Sequence, residues 1–508
     1  MTKKLKIVSI SAEVAPFSKT GGLADVARSL PKAIKRLGHE VIVITPLYGK
    51  IINKKKNDLK LVYSNIKVFL NSREAVRINY WKGYLMEGLP IYFIENKKYF
   101  SQRKSLYGSK HENARFLIFD VAALKLISLL KFEADIVHCH DRHTGLIPFY
   151  LRTDFRYSRT LRNAKTIYTI HNLIFQFGKN WWEVPPEKKD YGRKRIPHIS
   201  DPEIEYINFA KRAILKADLI STVSEHYRDE IMTKKFGQDL HQILRNRQDR
   251  LFGIVNGIDY KAFNPANNNG LFRNYNHRKI HRKKLNKEYV QKKFGLPVDS
   301  SIPMFCTTSR VTFQKGFELI LKIMEHLAKL NIQLIIIGAG DKTYLEPLAK
   351  LAKKYPKKLI VIPSHDKNQK YETLIYAACD FTLLPSHHEP CGINQLKAMR
   401  YGCIPIVRHV GGLYDTVTNY DPRTNQGTGF SFSSFNEFSL YGTMIRALET
   451  YEHKKVWRDL VVRAMQESNS WEIPAKKYIT LYRTALGLKN GNGGKSKDDV
   501  KKKKNSGK

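Results

Sequence analysis

Short apolar runs alternate with longer stretches of helical periodicity through most of this chain. Residues 5–10 read as a strand. The stretch that follows places Leu23, Val26, Ala27, Leu30, Ile34 and Leu37 on one helical stripe, which Gly38 stops. Further strands are expected at 41–46, 91–94, 135–138, 166–170, 217–223 and 251–255, with a strongly apolar helix over 114–131. Such alternation predicts a parallel sheet covered by helices on both faces. A polar, basic stretch at about 264–288 interrupts it and reads as a linker. A second alternation then begins, with strands at 304–309, 333–338, 359–362, 381–385 and 404–407. No repeat relates the two halves. The fold class expected is α/β, with two Rossmann-like doubly wound domains (1–258 and 259–470) facing across a cleft. Open sheets of this kind bind ligands at the C-terminal ends of their strands.

Composition narrows the picture. At 508 residues with 42% hydrophobic content, the chain can bury two cores. No apolar run approaches the roughly 18 residues of a membrane helix, so no transmembrane segment is expected. Lys3, Lys4 and Lys6 before an apolar stretch imitate a leader, but Glu13 and Pro16 cut that stretch short. Five cysteines, an odd number without a C-x-x-C pair, suit a reducing cytoplasm. Lys+Arg 88 against Asp+Glu 46 gives a net charge of +42, which attracts polyanions. Most of these cations are scattered on polar faces without interleaved aromatics, so no specific nucleic-acid partner is expected. Only 276–284 and the tail are dense. The tail, 489–508, is nearly devoid of apolar residues and is expected to be disordered.

Candidate chemistry gathers at the expected strand ends. Lys19 to Val26 (KTGGLADV) lies at a strand-to-helix junction. Gly21 and Gly22 allow close backbone approach to an anion, the first helical N–H groups point the same way, and Lys19 adds a charge. The segment matches neither G-x-x-x-x-G-K-[ST] nor G-x-G-x-x-G; alone it reads as a tight turn, and an anion site needs a second half elsewhere. In the run 137–144, His138 and His140 share a strand face while Cys139 points away, which argues against a metal set. Asp141 is expected to accept hydrogen bonds from a hydroxyl-rich ligand. His171 and Asn172 close the next strand. Past the first strand of the second half, Arg310 and Lys315 are placed to converge on one anion. Farther on, Glu389 can orient sugar hydroxyls, and Cys391, Gly392 and Ile393 lead into a helix whose backbone N–H groups suit phosphate. Gly411-Gly412-Leu413 echoes the first glycine pair.

These pieces, in this order, closely resemble the bacterial glycogen synthases and plant starch synthases. The resemblance runs from about residue 5 to 486. It rests on the KTGGLADV segment, His171-Asn172, Asn256-Gly257-Ile258-Asp259, Gln314-Lys315-Gly316, Glu389-Pro390-Cys391-Gly392, Ala398-Met399-Arg400-Tyr401-Gly402 and Gly411-Gly412-Leu413. It implies a GT-B fold whose last helix, 471–488, returns to the first domain. It also implies transfer of glucose from ADP-glucose to the nonreducing end of an α-1,4-glucan such as glycogen, with retention and with neither cofactor nor metal. Under this resemblance Glu389, His171, Arg310, Lys315 and Asp141 are the catalytic set. Lys19, Gly21, Gly22, Asp25, Asn172, Asn256, Cys391, Gly392 and Ile393 bind substrate, and His365 is a candidate to stack on the base.

The chain also departs from the family. Arg142 stands where an aromatic is usual, His387-His388 replaces Arg-Phe, Lys397 replaces Tyr, and Gln176-Phe177-Gly178 interrupts a Gln-Gly. These changes bear on acceptor preference, nucleotide choice and turnover. Two rivals stay open: a GT-B transferase with a lipid or small acceptor, and a catalytically weakened glucan-binding paralogue. Oligomeric state, and ADP-glucose against UDP-glucose, are not readable from the sequence.

Overall fold

Two sheets carry the molecule. The computed structural model describes residues 3–108, 110–178, 184–193 and 195–488, without the side chains of 365 and 367–369. The expected tail and the base-stacking role of His365 therefore lie outside what is described. The first sheet comprises β1 (Lys6–Ile10), β2 (Glu40–Pro46), β3 (Lys60–Phe69), β4 (Ala75–Met86), β5 (Leu89–Glu95), β6 (Ile136–His140), β7 (Lys165–Ile170), β8 (Leu219–Thr222) and β9 (Leu251–Gly253). Its spatial order is 3-4-5-2-1-6-7-8-9. The second comprises β10 (Met304–Thr307), β11 (Gln333–Ile337), β12 (Leu359–Ile362), β13 (Phe381–Leu384), β14 (Ile404–Arg408) and β15 (Phe430–Phe432), in the order 12-11-10-13-14-15. The chain thus has two parallel-sheet, Rossmann-like domains.

The central strands are apolar throughout because helices cover both faces, and β1 has Ile7, Val8 and Ile10 at 1% exposure or less. The sequence missed β3, β4 and β15. Strands β3 and β4 form an antiparallel extension at the sheet edge, so the first sheet is mixed rather than purely parallel. Their outward face is polar, and only alternate residues such as Ile78 and Tyr80 are buried.

The stretch expected as a linker is largely folded. Residues from His277 form a helical turn and then the helix Lys283–Phe294. Lys283 Nζ donates to the carbonyls of Tyr376 (2.7 Å) and Ala377 (3.0 Å), and Lys287 pairs with Asp380 at 2.7 Å. Both lysines are buried because carbonyl and carboxylate oxygens replace their water.

The chain passes between the sheets at two adjacent points. Ile258 N donates to Asn469 O at 2.8 Å, and Gly257 lies against the Ser470–Trp471 backbone. After the second crossing, the helix Glu472–Ala485 packs Ala475, Tyr478 and Tyr482 into the core of the first sheet. The helix Glu225–Ile231 also docks on the second domain. Ser224 Oγ donates to Pro390 O (2.6 Å), His226 N to Asp415 Oδ2 (2.8 Å), and Gly411 N to Glu230 Oε1 (3.1 Å).

Candidate active site

The first wall of the cleft begins where β1 ends. The helix Gly22–Arg36 starts behind Gly21, which offers no side-chain cap, so its first-turn N–H groups are not spent on one. Lys19 Nζ bonds both oxygens of Asp25, at 2.8 and 2.9 Å. Beneath the loop, Glu13 accepts from Thr20 N (2.5 Å) and Thr20 Oγ1 (2.9 Å), which fixes the turn from inside. Burial pushes the Glu13 carboxyl up to about 7 despite those donors, and the Asp141 and Asp25 charges add to the rise. Glu13 had entered the sequence reading only as a residue that breaks an apolar run.

Gly22 makes the closest approach to the other wall. A Cβ there would lie 3.1 Å from Ile393 Cδ1, whose side chain packs against both cores. Gly22 is thereby brought up to Ile393, with Gly21 beside it and the Lys19–Asp25 pair on the same loop and helix start.

Next to this loop, β6 ends at Asp141, which holds a left-handed backbone (φ 57°). Its Oδ1 accepts from His171 N at 2.7 Å and Asn172 N at 3.4 Å, so the carboxylate clamps the end of β7. Burial raises its pKa to about 7 against the pull of those two N–H groups. The histidines of β6 are turned into the sheet and its neighbours. His138 bonds Tyr482 OH (2.8 Å) and Thr169 Oγ1 (2.6 Å), whereas His140 bonds Ser9 Oγ (3.3 Å) and His171 Nε2 (3.0 Å). Burial lowers the pKa of all three rings, with His140 near 3, so they stay neutral. Among the described residues no group of three or more His, Cys, Asp and Glu side chains could hold a metal ion.

The second wall is built on β10 and β13. Lys315 and Glu389 form a direct ion pair, and Ser386 Oγ donates to Glu389 Oε2 at 3.2 Å. The turn holding Glu389 sits on the second glycine pair. Gly412 N donates to Glu389 O at 3.0 Å, and a Cβ on Gly411 would come within 2.0 Å of that same carbonyl oxygen. Gln395 Nε2 donates to the Cys391 and Gly392 carbonyls, both at 3.0 Å, holding the next two residues of the turn. Arg310 follows β10, is exposed, and forms no ion pair with a described residue. Asn256 meets the second wall at Cys391. It is buried in the seam, with its backbone N–H on Cys391 and its Oδ1 bonded to no described residue.

The departures are absorbed by local partners. Arg142 is buried within 3.6 Å of Glu112. His387 packs on Phe313 and Phe435, at 4.8 and 5.0 Å between centroids. Burial lowers His388 to about 4. Lys397 is buried and pairs with Glu372 at 2.9 Å, a partner that sequence reading missed because it lies on a separate helix. Burial alone would lower the Lys397 pKa, but the Glu372 and Asp25 carboxylates outweigh it and the pKa rises.

Comparison with known proteins finds relatives over nearly the whole chain. Residues 6–246 match the family described as "Starch synthase catalytic domain", and 290–459 match "Glycosyl transferases group 1". A glycogen synthase of Clostridium perfringens (strain 13 / Type A) is 39% identical over 485 residues, covering 95% of this chain and 99% of the relative. A glycogen synthase of Bacillus anthracis is 38% identical over 489 residues, covering 95% and 100%. The catalytic domain of starch synthase IV from Arabidopsis thaliana, solved bound to ADP and acarbose, superposes with a TM-score of 0.84. It is 29% identical, over 96% of this chain and all of that one. A sucrose-phosphate synthase from Thermosynechococcus elongatus, at 16% identity and a TM-score of 0.60 over 95% of this chain and all of that one, shares the fold.

Proposed function

This chain belongs to the glycogen and starch synthase family and is a glucan-elongating glycosyltransferase of that type; we propose that its donor is ADP-glucose and that the new α-1,4 linkage retains the donor's anomeric configuration. The observation that carries the reading is the Lys315–Glu389 ion pair opposite the Lys19 loop. A cation and a carboxylate already in contact can separate onto the two charged ends of a nucleotide-sugar reaction. Lys315 and Arg310 would neutralise the departing diphosphate, and Glu389 would hold glucose hydroxyls beside the developing positive charge at C1. Two cations, Lys315 and Arg310, would supply the charge that a divalent ion supplies elsewhere, so the reading includes no metal. Lys19 and the Gly21–Gly22 turn would close on the donor from the first domain. Asp141, through its grip on β7, would set His171 and Asn172 against the sugar. The starch synthase IV structure, whose ligands are ADP and acarbose, supports the choice of nucleotide and of an α-glucan acceptor. Among the described residues no helix is long and apolar enough to cross a membrane.

The test is incorporation of labelled glucose into glycogen from ADP-glucose and, separately, from UDP-glucose, with and without EDTA. The expected result is EDTA-resistant incorporation from ADP-glucose into a product that α-amylase digests. Preference for UDP-glucose would overturn the donor assignment, and binding without incorporation would overturn the transferase reading.

A further inference from the structure

Ser9, His140 and His171 form a chain of hydrogen bonds from the middle of β1 to the end of β7. Ser9 Oγ lies 3.3 Å from His140 Nε2, and His140 Nδ1 lies 3.0 Å from His171 Nε2. The three residues are 3%, 0% and 9% exposed. Burial keeps both rings neutral, so each carries one proton and only two arrangements fit the distances.

In the first, the serine hydroxyl donates to His140 Nε2. His140 then carries its proton on Nδ1 and donates to His171 Nε2, which leaves the His171 proton on Nδ1. In the second, every bond is reversed: His171 Nε2–H donates to His140, and His140 Nε2–H donates to Ser9 Oγ. That reversal leaves the serine O–H hydrogen with no acceptor among the described residues, inside the central strand of the sheet. A buried donor left unmade is costlier than a bond whose direction is exchanged, so the first arrangement wins. His171 Nδ1 bonds no described residue, which makes it the nitrogen available to a ligand.

We propose that Ser9 and His140 are positioning residues that lock His171 in the Nδ1–H tautomer, so that it meets the donor sugar as a neutral hydrogen-bond donor. Its only lone pair is then occupied by His140 Nδ1–H. His171 therefore holds a sugar oxygen and takes no proton from the acceptor hydroxyl. The identity of the ligand rests on the function proposed above, whereas the tautomer does not.

The experiment uses the full chain with 15N-labelled histidine, with the His171→Asn variant to assign its signals. A protonated Nδ1 and an unprotonated Nε2 at His171 are expected in the free protein, and a protonated Nε2 overturns the proposal. In the Ser9→Ala variant the direction of the chain is no longer imposed, and the Nε2–H form of His171 is expected to appear; an unchanged tautomer removes Ser9 from the proposal. His140→Phe, which fills the ring space without a hydrogen bond, is expected to lower kcat about 10- to 100-fold through misplacement of His171. The donor KM should stay within about threefold. His140→Asn, whose amide reaches the position of Nδ1, is expected to recover most of that loss. Equal losses in the Phe and Asn variants would reduce His140 to a packing role. If His140→Phe does not fold, the Ser9→Ala spectrum decides. Should wild-type protein transfer no glucose yet show the Nδ1–H tautomer, the function fails and this inference stands.

Discussion

The two walls of the cleft handle charge differently. On the first, Glu13 and Asp141 are buried carboxyls held by backbone and hydroxyl donors, both poised near 7, and the histidines beside them are neutral. Its one forward cation, Lys19, is half satisfied by Asp25. On the second wall, Lys315 and Glu389 carry opposite charges in direct contact, and Arg310 stands free in solvent. The first wall is a nearly neutral hydrogen-bonding surface, suited to sugar hydroxyls. The second is a charged device, suited to a diphosphate whose negative charge grows as its bond to glucose breaks. Under the proposed reaction, division of this kind would confine the electrostatic work to one side.

The largest effect is therefore expected on the second wall. Glu389→Ala removes the proposed sugar ligand and the ion-pair partner of Lys315, and kcat is expected to fall about 100- to 1,000-fold in glucose incorporation. Turnover above a third of wild type would break the comparison at its centre. Lys19→Ala should do less, because a lysine with a third of its side chain in solvent is only weakly coupled to its partner. A loss of about tenfold in kcat/KM is expected, with Tm within about 2 °C of wild type. A Lys19 effect as large as that of Glu389 would move the electrostatic work to the first wall.

What the sequence reveals of this division follows from how each residue is held. Parallel strands such as β1, β2 and β11 are apolar on both faces, so they stand out as continuous runs. Strands β3 and β4 do not, because one face is wet and carries Lys67 and Arg77, which pair across the two strands. Lys19, Gly22, Lys315 and Glu389 are legible because strand ends and glycine turns mark them. Glu13 is not, since its purpose is created by Thr20 seven positions later, once the loop has folded back. The same holds for Lys397, whose partner Glu372 lies 25 positions earlier, and for Lys283 and Lys287, whose charges look solvated until carbonyl and carboxylate partners close on them. Sheet geometry predicted that His138 and His140 share a face. That His140 meets His171 follows from β7 lying beside β6, which the alternation alone does not specify.

A smaller effect tests the contact between the walls. Gly22→Ala would set a methyl 3.1 Å from Ile393 Cδ1, the far end of a side chain packed against both cores. A loss of about two- to fivefold in kcat is expected, with binding of ADP alone little changed. The double variant Gly22→Ala with Ile393→Val, which removes the clashing methyl, should restore turnover. Failure of that rescue would mean that Gly22 serves the ligand rather than the approach of the domains.

The smallest effect is the pH dependence of stability, and the two kinds of buried group on the first wall set its sign. Glu13 and Asp141 have folded pKa values near 7, above their ordinary values of 4.5 and 3.8. The folded state therefore holds more protons on them than the unfolded state, and their contribution is lost as pH rises through 7. His138, His140, His143 and His171 are all depressed below 6.5 by burial, so their contribution is lost as pH falls below 6.5. Between pH 8 and 6.5 the carboxyls dominate and the urea midpoint should rise. Below 6.5 these histidines, with His39, His387, His388 and His409, which burial also lowers, oppose Glu13, Asp141 and the other raised carboxyls, Asp120, Glu205, Glu230 and Asp415, and it should fall. Glu13→Gln should flatten the alkaline limb while leaving the acid limb in place. An alkaline limb unchanged by that substitution would show that Glu13 is ionised at neutral pH. The first wall would then carry charge as the second does, and the contrast between them would narrow to the Lys315–Glu389 pair.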